Sequence, residues 1–316
     1  MQRAGMQEYF GDVRAFFAPV NRSTETGTLF DPSAAFDLEN PPAPWVDLGL
    51  VRNFKRVAKS TMGAVRTGMA GVAQVQFRKL VDARVSLDFC EWGKLQMAVA
   101  ASSQHMNVLD SNGTQPRASG GVAKPAQALL AGSTASLIVL DPSVLGNYSA
   151  GELIVVDVDY AVGITDMGTG ITGGVPIQGA QLDCDAVRRV SFNVGAVAAV
   201  TATGLQLDAP LLGGVPASGA RLQKVVAFVD REGASFFQEW SALFALQPES
   251  GGRVYFHYPR LQTASPAEET MAELASGLHT TLLHAEFAAM ASVDANDDET
   301  VVCYRSAVPA AGTPAY

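Results

Sequence analysis

Alternating apolar and polar residues predict the clearest β-strand of the chain at residues 81–89. There the odd-numbered positions from Val81 to Phe89 are apolar and the even-numbered positions are Asp, Arg, Ser and Asp. This period of two buries one face of a strand and exposes the other. Residues 72–78 alternate in the same way, with Gln74, Gln76 and Arg78 opposite Val75 and Phe77. Two strands, each with a polar face, are therefore predicted here.

Helical spacing of apolar residues is found in two other segments. Residues 91–102 place Leu95 and Val99 on one stripe, and residues 230–246 repeat large apolar side chains three or four positions apart. Each pattern predicts a short amphipathic helix, and a further short helix is predicted at residues 7–17. Residues 267–274 fit either a helix or one arm of a hairpin.

Short strands separated by Gly-rich turns are predicted for much of the remaining chain. Their ranges are 135–140, 152–160, 188–194, 195–201, 222–229, 253–258, 281–289 and 300–305. The predicted fold class is mainly β, with flanking short helices and an inserted small β-barrel or sandwich. The predicted domains are an N-terminal arm or loop at 1–44, a β domain split between 45–114 and 226–316, and the insert at 115–225.

The N-terminal arm has two interpretations. The Pro-rich run at residues 40–44 excludes a helix there, so residues 18–44 are a long loop. This loop is either a surface linker or a segment that reaches a neighbouring subunit, because Phe30, Phe36 and Leu38 need apolar surroundings.

Composition excludes several classes of protein. The chain is 48% hydrophobic and 17% charged, which argues against disorder. Its net charge of −9 argues against a protein that coats nucleic acid. Three distant cysteines without a CxxC motif argue against a disulfide framework or a structural zinc site. The N-terminus has no apolar signal core, and no stretch is apolar enough to span a membrane.

No sequence motif points to catalysis, and no metal or cofactor is expected. Asp157 and Asp159 share a strand face and are interpreted as solvated. The acidic run at residues 294–299 is interpreted as a turn between strands. His257 is expected in the core or at an interface, and Cys90 and Cys303 as small buried apolar residues. We therefore do not expect an enzyme.

Basic residues are concentrated in one segment. Residues 52–84 contain eight basic residues and one acidic residue, which leaves 14 basic and 30 acidic residues in the rest of the chain. Such a segment is either a solvated loop, a surface that associates with the acidic surface of another copy, or a nucleic-acid patch. The scarcity of aromatic residues in the segment weakens the third interpretation.

Several sequence segments resemble those of phage major tail proteins, which build the tail tube. They are PWVDLGLVRNFKRV at 44–57, EWGKLQMAVA at 91–100, VVAFVDREGASFFQEWSALF at 225–244, GGRVYFHYPRLQ at 251–262, TLLHAEFAAM at 281–290 and ETVVCYR at 299–305. The resemblance covers roughly residues 45–110 and 225–305. It is a similarity of strand patterns, not of a chemical signature.

The resemblance implies a β-sandwich subunit with a flanking helix. Such subunits form hexameric rings that stack into a hollow tube in the virion tail, and DNA passes through this tube without specific binding. Other tail proteins would be partners: a terminator, a baseplate or tip, a tape measure and, in a contractile tail, a sheath. The sequence does not decide between contractile and non-contractile tails.

Nine residues are expected at subunit or lumen surfaces. They are Arg52, Lys55, Arg56, Lys59, Arg66, Gln74, Gln76, Arg78 and Arg84. Charge reversal at Lys55, Arg56 and Lys59 together is expected to impair assembly more than folding. The alternative function is a β-sandwich module that binds a receptor or glycan on the surface of a phage-like particle, and a hydrolase that acts through an Asp pair is the third.

Overall fold

The computed structural model is mainly β, as predicted, and every strand pair that it describes is antiparallel. It describes residues 12–20, 26–67, 71–91, 93–101, 103–113, 118, 121–159, 183–233, 239–247, 252–265, 267–274 and 278–309. None of the helices in these ranges is long and apolar enough to cross a membrane.

Seventeen strands and three short helices make up the described elements. The strands are β1 (Val13–Pro19), β2 (Val46–Thr67), β3 (Val72–Phe89), β4 (Gln104–Leu109), β5 (Gln127–Ala128), β6 (Leu137–Val139), β7 (Leu153–Asp157), β8 (Val194–Val200), β9 (Gly204–Leu207), β10 (Arg221–Arg231), β11 (Trp240–Leu246), β12 (Arg253–Thr263), β13 (Glu268–Leu274), β14 (Leu278–Ala289), β15 (Ser292–Val293), β16 (Thr300–Val301) and β17 (Tyr304–Val308). The helices are α1 (Lys94–Ala101), α2 (Pro142–Leu145) and α3 (Ala186–Val190).

The larger sheet has eight strands in the order β13-β14-β3-β2-β1-β11-β12-β17. Because β14 also pairs with β12, the six strands from β14 to β12 form a closed ring around a core. The side chains of Phe17, Leu87, Phe244 and Phe287 fill this core, and Val99 of α1 packs against it. The alternation of β3 and the helix at α1 are confirmed.

The central strands β1 and β11 are buried on both faces. Their second face, with Phe16 and Leu243, packs against Phe36, Leu38 and Trp45 of the segment before β2. The arm therefore places its apolar side chains on its own chain.

Two helix predictions are wrong where the structure describes them. Residues 13–17 belong to β1, while residues 7–11 lie outside the described ranges. Residues 240–246 form β11, and 230–231 complete β10. Residues 268–274 form a hairpin arm, β13, which settles the choice that the sequence left open.

The smaller sheet belongs to the inserted region. Its order is β4-β10-β7-β8-β9-β6, with β5 on β10. The amide of Leu130, just after β5, donates to the carbonyl of Val139 in β6, so the sheet curls around its own core. Ile138, Ile154 and Leu222 are fully buried in that core.

Two predictions in the insert are wrong. Residues 186–190 form α3 instead of part of a strand, because Arg188 is buried and paired with Asp185, Asp159 and Gln223. Asp157 is fully buried and accepts a hydrogen bond from Ser191, at 2.6 Å, instead of facing solvent.

The insert is joined to the main sheet through Phe192, which contacts Trp240 with ring centroids 5.7 Å apart. Close by, the Nζ of Lys94 donates to Asn107 Oδ1 at 2.8 Å and lies 4.1 Å from the centre of the Phe228 ring. Burial lowers the pKa of Lys94 to about 7. These contacts tie α1 to the insert.

Candidate assembly surface

The hairpin formed by β2 and β3 extends beyond the rest of the sheet. β1 pairs with β2 only between Val46 and Val51, and β14 pairs with β3 only between Arg84 and Phe89. Beyond these points β2 and β3 pair only with each other among the described strands. We call residues 59–67 and 72–80 the outer hairpin. Nine residues per strand give it a length of about 30 Å.

One face of the outer hairpin is apolar and exposed. Val65 and Val75 lie opposite each other in the register, and 50% and 57% of their surfaces are exposed. Phe77, 45% exposed, lies opposite Gly63. A Cβ on Gly63 would come within 2.6 Å of the Phe77 ring, so this glycine lets the ring lie across the hairpin. In the same strand Val85, Leu87 and Phe89 are fully buried. A register shift between Thr61 and Met62 lies between these two parts of β3, so Val75 and Phe77 share the face of Lys59 and not the buried face of Val85.

The opposite face of the hairpin is mainly polar, although Met62, opposite Arg78 in the register, is also exposed on it. Gln74, Gln76 and Arg78 alternate with the apolar residues and are exposed, as the sequence predicts. Arg66 donates from Nη1 to the carbonyl of Gly71 at 2.9 Å, close to the tip. The outer hairpin contains four basic residues and no acidic residue.

A shallow basic cavity of about 350 Å³ lies at the base of the outer hairpin. Arg84 in this cavity is paired with Glu286 at 3.1 Å and with Asp82 at 3.3 Å. Lys55 and Lys59 line the same cavity and form no ion pair with another described residue. The cavity therefore carries excess positive charge on its exposed face.

Arg56 departs from the predicted group, because it points to the opposite face from Lys55. Its Nε donates to the hydroxyl of Tyr258 at 2.9 Å, and its guanidinium lies 4.7 Å from the centre of the Phe256 ring. Its Nη2 also contacts the sulfur of Cys303 at 3.6 Å. These contacts anchor the base of the hairpin to β12. The alternation of Phe54 and Arg56 against Lys55 is the sequence signal for this orientation.

Arg52 is exposed and lies near the other end of the β2–β3 pair. It is opposite Asp88 in the register. Asp88 in turn accepts hydrogen bonds from Asn53 Nδ2 at 2.5 Å and from His284 Nδ1 at 2.6 Å. The nine predicted residues thus follow one hairpin from end to end instead of converging on a single point.

A group of three potential metal ligands occurs among the described residues, at Asp183, Cys184 and Asp185. Asp183 already accepts from Arg189 and Asp185 from Arg188, so both carboxylates are neutralised by arginine. These carboxylates form ion pairs with the arginines of α3, which lies in the insert and not in the outer hairpin.

The chain matches no protein-family model and no curated protein.

Proposed function

We propose that this chain is a structural subunit that assembles into stacked rings, the hexameric rings of a phage-type tail tube. The observation that carries the proposal is the outer hairpin, in which neither strand edge pairs with another described strand and Val65, Val75 and Phe77 are exposed. Free edges and exposed apolar faces usually find a partner strand or surface in the working assembly of a protein. A second copy supplies such a partner in a homo-oligomer.

The charge distribution supports assembly from identical copies. A basic hairpin and an acidic remainder attract each other between copies, and a head-to-tail contact of this kind propagates as a filament. A net charge of −9 also suits a channel that DNA must pass through without binding. The proposed location is a virion tail, where terminator, tip, tape-measure and, in contractile tails, sheath proteins are the other partners.

Negative-stain electron microscopy of the purified chain, over a range of protein and salt concentrations, tests the proposal. We expect rings and hollow tubes from the wild-type chain. The variant Val75→Ser/Phe77→Ser should remain folded, because both side chains are exposed, but should form few or no tubes.

The matched control is Val122→Ser/Val215→Ser, which removes two apolar side chains of the insert that are more exposed than Val75 and Phe77. It should assemble normally. Wild-type chains that stay monomeric under every condition would contradict the proposal and favour a surface-binding module. Normal tubes from the hairpin variant would show that the outer hairpin does not carry the assembly.

A further inference from the structure

The outer hairpin and the β13–β14 hairpin project from opposite ends of the larger sheet. In the register of β3 with β14, Phe89 lies opposite Leu283 and Arg84 lies opposite Ala288. Residues 278–282 of β14 therefore continue beyond the Phe89 end, where they pair only with β13 among the described strands. The outer hairpin continues beyond the Arg84 end. The two hairpins of one chain are therefore too far apart to meet, whereas those of two copies stacked end to end can meet.

The two hairpins also differ in charge. Between Arg260 and Arg305 the chain contains no lysine or arginine but eight acidic residues. Three of these, Glu268, Glu269 and Glu273, are on β13. The outer hairpin has four basic residues and no acidic residue. This complementarity gives a basic hairpin at one end of the subunit and an acidic hairpin at the other.

The edge of β13 is open. β13 is the terminal strand of its sheet and pairs only with β14 among the described strands. Glu268 and Glu269 are exposed and form no ion pair with a described residue. Arg52 lies at the same end of the sheet, but it is three strands away and Asp88 stands between it and β13. The edge therefore offers free backbone groups flanked by unpaired carboxylates.

We propose that the outer hairpin of one copy docks on β13 of the next copy, with the adjacent Arg78 and Lys79 of β3 facing the adjacent Glu268 and Glu269. The inference rests on the proposed function and names the two surfaces that meet between successive rings. Strand addition satisfies the free edge of β13 and the β3 edge of the outer hairpin, and the charge pairs select the orientation. The contact joins two different surfaces, so it repeats along the tube.

Three charge-reversal variants test this docking. Glu268→Lys/Glu269→Lys makes the β13 edge basic, and Arg78→Glu/Lys79→Glu reverses the two charges of the outer hairpin that face it. Each should raise the protein concentration needed for tube formation at least about tenfold, because like charges would face each other. The quadruple variant, which combines all four changes, should assemble within about threefold of the wild-type concentration because attraction is restored.

The control is Asp208→Lys/Glu299→Lys, which reverses two exposed acids away from β13 and leaves the net charge equal to that of the β13 variant. Circular dichroism and thermal unfolding establish that every variant is folded. Wild-type chains that fail to assemble would contradict the proposed function itself. Wild-type tubes together with normal assembly of the β13 variant, or a quadruple variant no better than either double variant, would overturn the docking while leaving the tube function intact.

Discussion

At the residue scale, neighbouring basic side chains of β2 have different roles. Lys55 is exposed in the basic cavity, whereas Arg56 is half-buried between Tyr258, Phe256 and Cys303. A charged hydrogen bond and a cation–π contact stabilise the folded chain only at Arg56. Charge reversal of Lys55, Arg56 and Lys59 together would therefore disturb folding as well as assembly, contrary to the expectation from sequence.

We predict that Arg56→Met lowers the free energy of unfolding by about 1–3 kcal/mol. Lys55→Met should change it by less than about 0.5 kcal/mol, because Lys55 makes no ion pair with a described residue. Urea unfolding followed by circular dichroism measures both values. Equal effects of the two substitutions would show that the contacts of Arg56 with Tyr258 and Phe256 do not stabilise the fold.

His257 provides a prediction for pH. Its Nε2 lies 3.0 Å from the carbonyl oxygen of Thr28, which can only accept, so this nitrogen carries the proton. Its ring packs against Trp45 and Tyr304. Burial lowers the pKa of His257 to about 4. Between pH 6.5 and about 4 the unfolded chain therefore binds a proton that the folded chain does not, and stability falls as the pH falls.

The variant His257→Gln retains an amide donor for Thr28 but does not titrate. On lowering the pH from 7 to 5, the wild-type chain should lose about 2 kcal/mol more free energy of unfolding than the variant. Burial also lowers the pKa of His105, to about 3, and this contribution is common to both chains. Parallel curves of stability against pH for the two chains would contradict the assignment of this loss to His257.

At the element scale, the elements best predicted from sequence are those with one buried face. β3 keeps a period of two over residues 81–89 because one face meets the core and the other meets solvent. β11 lies between two apolar clusters, with Phe244 on one face and Leu243 on the other. A strand buried on both faces has no alternation, and its continuous apolar run includes the spacing of a helix. This explains why β11 was predicted as a helix.

Ion pairs explain the other errors in the insert. Arg188 and Arg189 look like exposed polar positions in a strand, but both are buried with their charges matched by Asp185 and Asp183. These partners come from the folded neighbourhood of α3. The spacing of apolar residues indicates which positions face the core. It does not indicate which charged residues form buried ion pairs.

The candidate surface could be predicted in part. The exposure of Gln74, Gln76 and Arg78 is predicted by alternation with Val75 and Phe77, but the structure exposes Val75 and Phe77 as well. The projection of the hairpin could not be foreseen, because it depends on where β1 and β14 stop pairing. The β13 edge was also missed, although the absence of lysine and arginine between Arg260 and Arg305 was visible in the sequence.

At the scale of the whole molecule, the larger sheet and the insert have separate hydrophobic cores among the described residues. Ile138, Ile154 and Leu222 fill the core of the insert, whereas Phe192 reaches from the insert into the core of the larger sheet. The smaller sheet extends beyond the predicted insert of 115–225, because it begins at β4 and ends at β10. These two strands pair with each other, so that Gln104 lies opposite Arg231. Adjacent ends are typical of a domain that can be inserted into another or removed from it.

We predict that a fragment of residues 103–233 folds by itself, because its core and its first and last strands remain complete. Thermal unfolding of the fragment should show one cooperative transition.

Ile154→Ala in the fragment should lower the free energy of unfolding by about 2–5 kcal/mol, because Ile154 is fully buried in that core. Phe192→Ala should have a much smaller effect there, since removal of Trp240 leaves this ring without its partner in the larger sheet. A fragment without a cooperative transition would mean that the insert depends on α1 and β11 for its fold.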